Sequence, residues 1–122
     1  GGAELYPRIL TDGDLAPEQL SLATLEELQA LGPYGREFDP PLFQGEFIVE
    51  RLRPVGADGN HLMLELSLGA VIHRAIWFRA LTPGEVPAFG VGDRLRCAYK
   101  LNRNRWRGRE NLQLMVEHAE VI

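Results

Sequence analysis

The chain has 122 residues, 45% hydrophobic and 25% charged, with a formal net charge of −4. Those proportions describe a single soluble globular domain with one modest core. No apolar run approaches the roughly 20 residues of a membrane span. Gly1-Gly2-Ala3-Glu4 has neither the basic nor the apolar stretch of a signal peptide. The chain does not begin with Met, so a processed or excised chain is expected. A lone cysteine, Cys97, cannot form a disulfide within the chain, which suits a cytoplasmic protein.

In chain order, Leu5 to Leu10 reads as a short strand ended by the turn signal Asp12-Gly13. Pro17 suits a first helical turn, and Ser21 is placed to cap a helix over 22–31. Leu22, Leu25, Leu28 and Leu31 give that helix one apolar face. Gly32 and Pro33 end it, and a rigid Gly-Pro loop follows to Pro41. From Glu46 the period changes to two, predicting strands over 46–53, 61–68, 71–79, 94–103 and 110–118. Ala57-Asp58-Gly59-Asn60 is the first turn.

Alternation assigns faces. Leu62, Leu64, Leu66 and Leu68 are expected inside, as are Leu95, Cys97, Tyr99 and Leu101, then Leu112, Leu114 and Val116. On the third strand Ile72, Ile76 and Phe78 are expected inside, with His73, Ala75, Trp77 and Arg79 outside. Five short strands with a longer connection after the third predict a mainly β fold, a five-stranded OB-fold barrel with one short N-terminal helix. Residues 1–45 would pack on a barrel formed by 46–122, as one domain.

The sequence offers no catalytic constellation. His61, His73 and His118 lack metal-ligand spacing with any partner, and are expected at strand ends or surfaces. Cys97 alternates with Leu95 and Tyr99, so its thiol is expected to be buried and inert. No strained Gly-x-Ser-x-Gly elbow occurs, and Gly90-Val91-Gly92 opens a strand rather than a helix.

Charge is distributed unevenly. Residues 1–50 carry ten acids and two bases, whereas 51–122 carry seven acids and eleven bases. The bases concentrate in Arg94, Arg96, Lys100, Arg103, Arg105, Arg107 and Arg109. A polyanion responds to that local field, because charges beyond about 8 Å are screened. Four arginines at every second position, with Trp106 among them, are expected to close the hairpin between the last two strands. Guanidinium groups pair with phosphates and a Trp offers a stacking face, which suits a single-stranded nucleic acid. Trp77, Arg79 and Arg96 are candidate additions to that surface.

Taken in order, several pieces resemble the C-terminal OB domain of the RecJ family of bacterial single-stranded-DNA-specific exonucleases. They are Gly32-Pro33-Tyr34-Gly35 with Pro41-Leu42-Phe43, then His61-Leu62, then Ala75-Ile76-Trp77-Phe78. Tyr99-Lys100-Leu101, Asn104 with Trp106 and Gly108, and Leu112-Gln113-Leu114 complete the series. The likeness runs from about Leu15 to the C-terminus. It implies a parent enzyme degrading single-stranded DNA from the 5′ end in recombination and repair, with Mn²⁺ or Mg²⁺ in a separate catalytic core. That core's Asp-His-His and Gly-Gly-His motifs do not occur here, so no catalytic residue, metal or cofactor is expected in this segment. The sequence departs from the family pattern at Arg103, usually apolar, and at Arg105, commonly acidic. The resemblance implies the parent's catalytic domains as partners, and the basic tract itself leads to the expectation that single-stranded DNA is held by Lys100, Arg103, Arg105, Arg107 and Arg109 with stacking on Trp106. Docking of the acidic tail of single-stranded-DNA-binding protein, or a purely structural brace, are the competing expectations.

Overall fold

The computed structural model describes Leu15 and residues 19–30 and 41–122, without the side chains of Gln29 and Trp106. The strand expected at 5–10, the Asp12-Gly13 turn, Pro17, Leu31 and the Gly-Pro loop through Pro40 lie outside the described residues. Helix α1 spans Leu22–Ala30. Ser21 caps it, its Oγ accepting the Thr24 backbone N–H at 3.2 Å. Leu25 and Leu28 are buried and Leu22 is half-buried against the same core, so the leucine spacing becomes the face that packs on the barrel.

Five strands follow: β1 (Phe43–Val55), β2 (His61–Leu68), β3 (Val71–Trp77), β4 (Arg94–Trp106) and β5 (Arg109–Val121). They close in the order β1-β2-β3-β5-β4, with β4 returning to β1. All pairs are antiparallel except β3 with β5. This is the OB-fold arrangement. The first strand begins at Phe43, three residues before the barrel boundary read from the sequence.

Alternation works where one parity is consistently apolar. Leu62, Leu64 and Leu66 are buried, as are Leu95, Cys97, Tyr99 and Leu101, and Leu114 and Val116; Leu112 is half-buried on the same core. Two bulges keep these faces in phase. One sits between Val49 and Arg51, the other opposite Ala98/Tyr99 on β5. Phe43, Phe47 and Tyr99 form the aromatic centre, with ring centroids 6.0 and 5.5 Å from Tyr99. Phe47 is 1% exposed, and truncating a Phe this deep to Ala costs about 3–5 kcal/mol.

Strand β3 has the opposite facing to that expected. His73 and Ala75 point into the barrel and Trp77 is half-buried against the core, while Ile72 and Phe78 are exposed. Ile76 is buried as well, though not among the residues of the barrel core. Every second residue from Val71 to Phe78 is apolar on either parity, apart from His73 and Arg74, so the period-two signal is nearly symmetric. Pairing of Leu66 with His73 and Leu64 with Ala75 settles which parity enters the core. His73 is therefore not a surface histidine. Burial pushes its pKa below the usual imidazole value, because the cation is costlier to bury than the neutral ring.

Candidate functional site

The hairpin between β4 and β5 is tighter and longer than the sequence suggested. Both strands run to a two-residue turn, Arg107-Gly108, with φ of 53° and 76°. Two left-handed residues make the type I′ geometry that matches strand twist. Residues 103–106 are therefore strand rather than loop tip. The turn also breaks the alternation of the four arginines. Arg103 and Arg105 stand on the parity of Leu101, facing Leu112 and Glu110 across the ladder. Arg109 stands at the position paired with Trp106, on the opposite parity.

Glu110 divides the set further. One of its oxygens accepts from Arg103 at 2.6 Å and the other from Arg105 at 2.8 Å. Those two hydrogen bonds, Arg105 first, hold the Glu110 carboxyl below the usual carboxylate range. Lys100 lies 3.8 Å from Glu117. Arg96 is bonded to Glu46 at 3.2 Å on the β1–β4 side. Ten residues separate it from Trp106, about 33 Å of strand at about 3.3 Å per residue. Arg96 is thus not brought to the hairpin tip.

The strand register assembles a surface that single-strand alternation could not show. One rung crosses the barrel's outer face as Arg51, Glu65, Arg74, Gln113 and Asn102. The adjacent rung is Arg53, Met63, Ile76, Met115 and Lys100. Apolar groups thus occupy the middle of the second rung, with a cation at each end. A cleft of about 560 Å³ lies over the first rung, lined by Arg51, Arg53, Met63, Glu65, Arg74, Asn104 and Gln113 among others. A second, of about 690 Å³, continues toward the hairpin between Ile72, Arg74, Arg107, Arg109, Asn111 and Leu112. Glu65, 4.0 Å from Arg51, is the acid among these lining residues. Sequence reading missed Arg51, Arg53 and Arg74 because they are scattered along the chain, and only strand pairing puts them on adjoining rungs.

Cys97 is 1% exposed and burial pushes its thiol up to about 12, so it has no thiolate to offer as a nucleophile or ligand. Among the described residues no three His, Cys, Asp or Glu side chains gather as a metal site.

A model of the RecJ OB domain matches residues 11–118. The chain belongs to the RecJ OB domain family. The single-stranded-DNA-specific exonuclease RecJ of Haemophilus influenzae is 38% identical over 116 residues, which are 93% of this chain and 20% of that protein. Crystal structures of RecJ from Thermus thermophilus, one in complex with Mg²⁺ and one with Mn²⁺, superpose with a TM-score of 0.62. They are 25% and 24% identical, covering 86% and 87% of this chain and 15% and 14% of those chains. The chain therefore spans about a fifth of the length of the curated relatives it matches. Among the described residues, Glu46, Glu65, Glu110 and Glu117 each face a cation, which does not fit a divalent metal centre.

Proposed function

We propose that this chain is the single-stranded-DNA-holding barrel of a RecJ-type exonuclease, supplying grip while the remainder of the parent protein supplies catalysis. The carrying observation is the pair of rungs across β1-β2-β3-β5-β4. Arg51, Arg53, Arg74 and Lys100 there flank Met63, Ile76, Met115 and amide side chains. In OB folds this outer surface, between the β1–β2 and β4–β5 loops, is where oligonucleotides lie. Arg51, Arg53 and Lys100 at the margins and Arg74 between them suit phosphates, and the half-buried Met63 and Met115 suit unpaired bases, which a duplex hides. Arg107 and Arg109 extend the surface at the tip, with Trp106 and Arg79 as further candidates. The setting this implies is the cytoplasm, and the parent's Mn²⁺ or Mg²⁺ belongs to its catalytic domains.

Titrating the chain with a labelled single-stranded 15-mer and with its duplex tests the reading. Single-strand binding should be tighter, and Arg53→Ala or Arg74→Ala should each lower the salt slope by about 0.7. Equal affinity for the duplex, or no binding, would overturn it.

A second reading has one observation in its favour. Exposed Ile72 and half-buried Leu112 lie beside Arg74, Arg107 and Arg109 in the second cleft, a combination that also suits an acidic peptide with an apolar residue. Such a ligand is the acidic tail of single-stranded-DNA-binding protein. Displacement of the peptide by the 15-mer would mark a shared surface. Binding of neither leaves the barrel as a structural brace.

A further inference from the structure

His61, Phe78 and Arg79 form a built corner at the end of the outer face away from the hairpin tip. His61 opens β2, and Phe78 and Arg79 follow the last residue of β3, so the pairing of Leu62 with Trp77 brings them together. Arg74 pairs with Gln113 in the parallel ladder. Phe78 lies four residues beyond that rung and Arg109 four before it. They are thus about 26 Å apart along the strands at about 3.3 Å per residue.

The corner is held by several independent features. The His61 and Phe78 rings meet edge-on, 5.3 Å apart at 77°, yet Phe78 remains 52% exposed. The Arg79 backbone N–H donates to His61 Nδ1 at 2.8 Å. That nitrogen is therefore the acceptor, which leaves Nε2 as the donor of the neutral ring. Arg79 adopts φ of 57°, a left-handed conformation that a non-glycine residue keeps only where its surroundings enforce it. Gly56 makes the room: a Cβ there would come within 2.7 Å of His61 Cδ2, and its φ of 97° also requires glycine. All this holds a large aromatic ring at the surface, where core packing does not account for it.

We propose that this corner is a nucleobase site, in which Phe78 takes one base by stacking, His61 braces the ring, and Arg79 meets an adjoining phosphate. The inference rests on the reading of the outer face as a single-strand groove and deepens it, placing a base-stacking residue at the end opposite Arg109. A planar base is the natural partner of an exposed ring, and stacking tolerates any base. Unlike a phosphate contact, it does not follow salt.

The 122-residue chain is titrated with a labelled 15-nucleotide oligothymidylate and with a strand of equal length lacking bases. Phe78→Ala should weaken oligothymidylate binding about tenfold, with the salt slope unchanged. Phe78→Trp should restore the affinity, and its added fluorescence should be quenched on binding. The abasic strand should bind wild type and Phe78→Ala equally. If Phe78→Ala binds within twofold of wild type while Arg109→Ala still lowers the salt slope, the corner is not a base site and the groove stands. A loss that comes with a lower slope also overturns the stacking role. If neither variant changes binding, the groove reading fails and this site with it.

Discussion

Arg103 and Arg105 precede the hairpin turn and stand on the parity that continues the core, each bonded to one oxygen of Glu110 at 2.6 and 2.8 Å. Arg107 lies in the turn and Arg109 beyond it, both exposed and both lining the cleft that runs to Arg74. Four residues of one type at regular spacing are thus split by a two-residue turn into a pair that shares one carboxylate, which offsets one of its two charges, and a pair turned toward the outer face. A guanidinium bonded to a carboxylate has part of its charge offset there, so it draws a phosphate less strongly than its charge alone would. Local density of arginine therefore overstates the field available to a polyanion.

The largest test of this contrast is charge reversal. Arg107→Glu with Arg109→Glu should lower single-strand affinity more than about tenfold and reduce the salt slope by about 1.4, the loss of two phosphate contacts. Arg103→Glu with Arg105→Glu should do much less, and an equal effect measured by anisotropy would erase the distinction. Next in size is Glu110→Gln, which releases both inner arginines. Affinity should rise several-fold and the slope should steepen, whereas a fall would mean that Glu110 matters by holding the hairpin in shape. Because the arginines depress the Glu110 pKa, the clamp persists above the ordinary carboxylate range and is lost only as pH falls through the lowered value. The wild-type and Glu110→Gln difference should therefore stay constant from pH 8 to pH 5.

A smaller effect concerns stability. His73 titrates near 6.5 when unfolded and lower when folded, so the unfolded chain binds the extra proton first. Stability should be full above pH 6.5 and decline as pH falls toward the folded value. Urea midpoints of wild type should show that decline, and those of His73→Leu should not. The smallest expected effect is Arg96→Ala, tied to Glu46 on the β1–β4 side. Its salt slope should match wild type, and a drop of about 0.7 would bring the β1–β4 side into the interface.

The helix, the five strands and the inward faces of β2, β4 and β5 were legible in the residues, because leucine spacing and clean alternation each have one solution. Ser21 as cap and Cys97 as a buried thiol followed from the same patterns. The basic tract was legible as well, although its division was not. Only the pairing of Arg105 with Glu110 across the ladder makes Glu110 the counter-ion of two arginines.

What the residues alone determined, then, was a barrel with a leucine-rich interior and an arginine-rich hairpin. Tertiary structure decided which way β3 faces, since its apolar residues occupy both parities and only pairing with β2 and β5 selects one. It also decided the outer face itself. Arg51, Arg74 and Asn102 are far apart in sequence, and they lie on one rung because hydrogen-bonded register, unlike side-chain pattern, is a property of neighbouring strands rather than of any one strand.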